Sequence, residues 1–170
     1  AYNKLKPYHS ELSQLTTSLG INNIRVLKKI EKNIDVAINL FDEFDSELTS
    51  QLLQTTTLFS WAYYCSVYDN NIPTLDFIES VGDVLYMDSK DLTDEHEKWR
   101  TLLLSYNFRI VDDLDKMIAK LVRSGYVDRD SFSSVISIAN EKLIANRRSD
   151  SYHRAWDTFH SSFSDNQGVV

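Results

Sequence analysis

An all-α fold is the class this sequence predicts, and three observations predict it. Glycine occurs 4 times and proline 2 times in 170 residues, too few turn residues for a many-stranded β protein. Apolar residues recur at gaps of three and four along most of the chain, the spacing that lines one face of a helix. The polar segments between these stripes are short. About seven or eight helices in an irregular bundle are expected. That number is compatible with two helical subdomains, 1–86 and 94–164, joined by the polar stretch 87–93, with a frayed tail at 165–170.

Residues 1–8 read as an irregular lead-in. Ser10 is placed to cap a short helix carrying Leu12, Leu15 and Leu19, with Gly20 as its stop. Asn22 or Asn23 caps the next helix, which holds Leu27, Ile30, Ile34, Ala37, Phe41 and Phe44. Its stripe is the best defined in the chain, and Arg25, Lys29 and Lys32 point away from it. Asp45 or Ser46 starts a helix through Leu48, Leu52, Leu53, Phe59, Ala62 and Tyr63 that ends near Asp69-Asn70-Asn71. Pro73 fits the first turn of a shorter helix carrying Leu75, Ile78, Val81 and Leu85.

Thr93 or Asp94 opens a helix with Trp99, Leu102 and Leu103. The next, roughly 109–124, uses Ile110, Leu114, Met117, Ile118 and Leu121 and stops at Gly125. Residues 128–145 predict a helix through Phe132, Val135, Ile136, Ala139 and Leu143. A separate last helix carries Tyr152, Ala155, Trp156, Phe159 and Phe163. There is no repeat of solenoid length and no low-complexity tract.

Composition narrows the functional classes. Hydrophobic residues make up 42% and charged residues 25%, a globular balance. The net charge is −7 and the pI about 5.0, which argues against nucleic acid as the main partner, because that binding rests on neutralising phosphates with Lys and Arg. Both halves are acidic, the first more so: 6 basic against 11 acidic groups over 1–85, and 12 against 14 over 86–170. The single cysteine, Cys65, has no partner for an internal disulfide and lies in an apolar context, so a reducing, cytoplasmic setting is expected. No apolar run reaches the length of a membrane span, so no membrane partner is expected, and no signal-peptide pattern opens the chain. A start at Ala1 suggests a processed product or an excised piece.

Catalytic patterns are weak. Asp94-Glu95-His96-Glu97-Lys98-Trp99-Arg100 has the first half of a zinc-protease helix, but Arg100 stands where the second ligand belongs and a cation does not ligate zinc. An acidic first turn favouring the helix dipole explains the segment. His153 and His160 are two turns apart, too far to share one ion unaided. Nothing resembles a nucleophile elbow. The adjacent pairs Asp42/Glu43 and Asp112/Asp113 splay apart on a helix and read as solvated faces. The four glycines are widely separated, so no phosphate loop followed by lysine exists in this chain. No catalytic residue, metal ligand or bound cofactor is therefore expected of this chain alone.

One segment stands out. In Leu19-Gly20-Ile21-Asn22-Asn23-Ile24-Arg25-Val26-Leu27 an arginine falls in the first turn of a strongly predicted helix, where the dipole already leaves partial positive charge. Lys28, Lys29 and Lys32 follow. The segment resembles the second sensor region of AAA-type P-loop ATPases, where a lid helix opens with a turn, an asparagine or small residue, an aliphatic residue and an arginine. The tail from Trp156 to Asn166 is similar to helical regions of large bacterial ATPases. Together these cover about nine residues near the start and eleven at the end. The resemblance implies a cytoplasmic, bacterial, non-catalytic C-terminal region. In it Arg25 would meet the terminal phosphate of ATP, with its Mg, on a core absent from this chain. The phosphate loop, the acidic strand motif and the first sensor of that family are absent here, so the chain would be a fragment. The plain alternative is that Arg25 lies on a solvated face with Lys28 and Lys32.

A second reading is a free-standing helical adaptor or scaffold that binds another protein, or another copy of itself, through an apolar groove. Trp61 and Tyr64 in the aromatic stretch 58–68, and Trp156 and Phe159 on the last helix, are its candidate contacts. A core role for the aromatic stretch requires Phe59 and Tyr63 to be buried. A third reading, an all-α enzyme with a site built across helices, requires a deep pocket lined by His153 or His160 and carboxylates.

Overall fold

The computed structural model of the chain describes residues 6–40, 45–82, 92–106, 108 and 110–165, with 152, 153 and 155–165 described as backbone alone. Among the described residues there are seven helices and no strand. They are α1 (His9–Ser18), α2 (Ile24–Ile38), α3 (Ser46–Cys65), α4 (Leu75–Glu79), α5 (Asp94–Ser105), α6 (Asp113–Ser124) and α7 (Arg129–Asp165). The chain divides into two compact units, residues 1–135 and 136–170. The division falls within α7; most of the polar stretch 87–93 lies outside the described residues.

The first unit is organised around α3. Every residue from Thr55 to Ala62 is buried, which is possible only for a helix with neighbours on all sides. α1, α2, α4 and α6 pack on it. α2 runs antiparallel to α3, its Lys29 ammonium 4.1 Å from the centre of the Tyr64 ring near the end of α3. α6 runs parallel to α3: Thr55 meets Asp115 at 2.9 Å, and further along the Tyr64 hydroxyl donates to the Val122 carbonyl at 3.2 Å. Phe59, Leu52, Leu53, Ile30, Ile34, Ile118 and Leu121 are fully buried in these helices, as is Leu103 of α5.

The threonine run is what disguises the all-round burial of this helix in the sequence. Hydroxyls can enter a helical core when a nearby carbonyl accepts them. Thr57 donates to the Leu53 carbonyl at 2.7 Å, and Thr55 donates to Asp115. Thr56 Oγ1 and Ser60 Oγ are buried with no hydrogen-bond partner among the described residues.

The helix ends follow local chemistry. Asn23 Oδ1 accepts the Arg25 N–H at 2.9 Å, Asp45 caps α3, and Thr93 accepts the His96 N–H at 3.2 Å. Gly125 ends α6 at φ 68°, the left-handed conformation that glycine adopts without a Cβ penalty.

Several expectations are revised. Tyr8, not Ser10, precedes α1, and no side-chain cap is present there. The entry is fixed by ring burial and by the Tyr8 hydroxyl, which donates to Asp35 alongside Lys6. In α2 the buried face is Val26, Ile30, Asn33, Ile34 and Ala37, with Leu27 half-buried; Phe41 and Phe44 lie outside the described residues. Pro73 precedes the cap Thr74 instead of entering α4. Ile110 stands before α6 and is 66% exposed. The two helices expected after Asp128 are one, because no glycine or proline interrupts the backbone ladder between them.

Candidate functional site

The α2 N-terminus carries the sensor-like arginine. Gly20, at φ 65°, reverses the chain after α1, and the loop to Asn23 delivers Arg25 to the second position of α2. Arg25, Lys28, Lys29 and Lys32 are all exposed. The first turn of α2 contains no acidic residue. Among the described residues the Arg25 guanidinium has no ion-pair partner, whereas Arg100 pairs with Glu97 at 2.7 Å and Arg123 pairs with Asp76 and Glu79. Behind the loop, Gly20–Asn23, Trp61, Asn71 and Leu102 border a cavity of about 360 Å³.

The aromatic stretch divides between core and surface. Phe59 and Trp61 are buried, at 0% and 7% exposure, so Trp61 faces the interior of the unit. Tyr63 is exposed instead of joining the buried face, and Val67 and Tyr68 beyond α3 are exposed at 78% and 88%. Tyr64 is half-buried, its ring under Lys29 and its hydroxyl on Val122. The side chains of Trp156, Phe159, His153 and His160 lie outside the described residues, as do Asp42 and Glu43.

A third place was not singled out by the sequence reading. α1, α3, the segment after α5 and the start of α6 border an open cavity of about 670 Å³. Leu15, Leu19, Leu58 and Phe108 supply apolar wall, and Gln51, Thr55 and Asp115 supply polar wall. Asp115 is 3% exposed. Its Oδ1 accepts the Thr55 hydroxyl at 2.9 Å and its Oδ2 accepts the Asp112 N–H at 3.1 Å. The Asp115 N–H donates back to Asp112 Oδ1 at 2.8 Å, completing a capping box. Gln51 Nε2 donates to Asp112 Oδ2 at 3.0 Å.

Removal from water pushes the Asp115 carboxyl up to about 6, an effect increased by the neighbouring Asp112 charge and opposed by the Asp112 N–H and the Thr55 hydroxyl. The Asp112/Asp113 pair is thus functionally split. Asp112 caps α6, while Asp113 stays in solvent and pairs with Lys116 at 3.0 Å. The D-x-x-D spacing of Asp112 and Asp115 ahead of an apolar run signals the capping box, but not the burial of Asp115 against α3.

The zinc-protease remnant has a packing explanation. The His96 ring lies 5.0 Å from Phe77 and 5.4 Å from Trp99, in a cluster anchored by Trp99 Nε1 donating to the Asn70 carbonyl at 2.9 Å. Among the described residues no group of three or more histidine, cysteine or acidic side chains is arranged to hold a metal ion, and no helix is long and apolar enough to cross a membrane. Comparison with known protein families, curated proteins and solved structures finds no match to the chain.

Proposed function

We propose that this chain is the non-catalytic helical C-terminal region of a cytoplasmic, bacterial AAA-type ATPase, in which Arg25 senses the terminal phosphate of ATP held, with Mg, on a separate core. The observation that supports it is the state of the α2 N-terminus. An exposed arginine sits at the positive end of a helix with no carboxylate in that turn and no ion-pair partner among the described residues. Such a placement costs stability unless an anion is supplied from outside. The Gly20–Asn23 turn presents this end of α2 to solvent, and Lys28 and Lys32 extend the positive field along the helix.

The decisive test is the coding sequence upstream of Ala1. A phosphate-binding loop with its following lysine is expected there, and its absence overturns the reading. Titration of ATP into the isolated chain gives a second check. Weak or undetectable binding is expected when the core is missing, whereas tight binding contradicts the assignment. In the full-length protein, Arg25→Ala is expected to lower ATP turnover while leaving the fold of this region intact.

The adaptor reading keeps one observation in its favour, the exposed Val67 and Tyr68 at the end of α3. On that reading Tyr64, Val67 and Tyr68 would contact the partner, and Trp61 would support them from within. Loss of binding on Tyr68→Ser, with ATP-dependent behaviour unchanged, would favour it over the sensor assignment.

A further inference from the structure

The cavity beside Asp115 joins two features that are costly apart. One is a space of about 670 Å³ with leucine and phenylalanine in its walls, within the size range of small-molecule sites. The other is a carboxyl group almost wholly removed from water at the edge of that space. The Thr55 hydroxyl and the Asp112 N–H each satisfy one Asp115 oxygen, but both are neutral donors. Each carboxylate oxygen keeps a second acceptor direction. α1 and α3 line the cavity with no ionisable side chain. Among the described lining residues the ionisable groups are Asp115 and Tyr106, whose hydroxyl donates to the Ser18 carbonyl at 3.1 Å. Among the described residues the charge bonded next to Asp115 is Asp112, of the same sign.

We propose that this cavity binds a small molecule with an apolar body and one protonated amine, the ammonium seated against the Asp115 carboxylate and the body against Leu15, Leu19, Leu58 and Phe108. Charge complementarity selects the head group. A protonated amine can donate to the free acceptor directions of Asp115 and offset a carboxylate that burial otherwise disfavours. A neutral alcohol of the same length gains the apolar contacts alone, and an anion is repelled by Asp115 and Asp112 together.

The test is calorimetric titration of the folded chain with hexylammonium and with hexanol, at pH 8 and at pH 5. At pH 8 hexylammonium is expected to bind about tenfold or more tightly than hexanol. That preference should shrink at pH 5, where Asp115 takes up a proton. Asp115→Asn should remove the preference at pH 8 and leave hexanol binding in place. Leu58→Trp, which adds bulk to the apolar wall, should weaken both probes. Equal binding of the two probes, binding of neither, or a preference that survives Asp115→Asn overturns the proposal. These outcomes are independent of the upstream phosphate loop and of Arg25.

Discussion

Replacing Asp115 by asparagine tests the electrostatics of the α3–α6 contact directly. Burial raises this carboxyl from 3.8 to about 6. The folded state therefore holds the proton more tightly than the unfolded state does. The linked stability is present in full below the unfolded value and is lost as pH rises through about 6. At about 1.4 kcal/mol per pKa unit the loss is about 3 kcal/mol, with little screening because the side chain is 3% exposed. Asparagine stays neutral throughout, can accept from Thr55 or from the Asp112 N–H, and can donate an N–H to the Asp112 carboxylate. It forgoes one acceptor, at a cost of about 1 kcal/mol that does not change with pH.

Urea unfolding of both proteins between pH 4 and pH 8 should therefore give curves that cross. The variant should be slightly less stable than the parent at pH 4 and about 2 kcal/mol more stable at pH 8. Asp35 and Asp128, whose carboxyls are held low by partners, contribute stability of the opposite pH sense, but equally in both proteins. A stability difference that stays flat across the window would refute the account of Asp115.

Four further outcomes follow from local features. Thr56→Val replaces a buried hydroxyl that has no partner among the described residues and should raise stability by about 1 kcal/mol, read as a higher denaturation midpoint with unchanged slope. Arg25→Glu should stabilise the isolated chain by about 0.3–1 kcal/mol at low ionic strength, with the gain fading in salt, because a carboxylate suits the positive end of α2. Gly125→Ala, at a left-handed position with open space around the added Cβ, should cost about 1 kcal/mol through backbone conformation alone in thermal unfolding. Asn23→Ala removes the acceptor of the Arg25 N–H and should cost about 1 kcal/mol, seen as faster amide exchange in the first turn of α2.

What could be read from the sequence was mostly local. Asn23, Thr93 and Gly125 mark helix ends through the chemistry of single residues, and those ends are where the chain places them. The central position of α3 was not readable, because Thr55, Thr56, Thr57 and Ser60 look like a polar face. Only the surrounding helices, among them α6 some sixty residues away in sequence, reveal that those hydroxyls are inside. Ser149-Asp150-Ser151 has the composition of a cap, yet α7 runs through it, since capping residues stop a helix only where the backbone leaves helical geometry. Asp115 was hidden for a different reason. Its importance comes from a neighbour on α3 and from a cavity, neither of which spacing along α6 encodes.

The encirclement of α3 also determines how much chain must exist before the unit can fold. α2 can close on α3 through contacts near their connection, whereas the α6 pairings with α3 span 58 to 61 residues. Closing that loop carries the larger chain-entropy cost. A nascent chain ending before Ser124 would expose Leu52, Phe59 and the threonine run together, a strongly apolar strip on an otherwise formed hairpin of helices. Such an intermediate is a substrate for chaperones and proteases. Any truncation meant to isolate the α2 N-terminus for study should therefore retain α6, however remote from Arg25 it stands in the sequence.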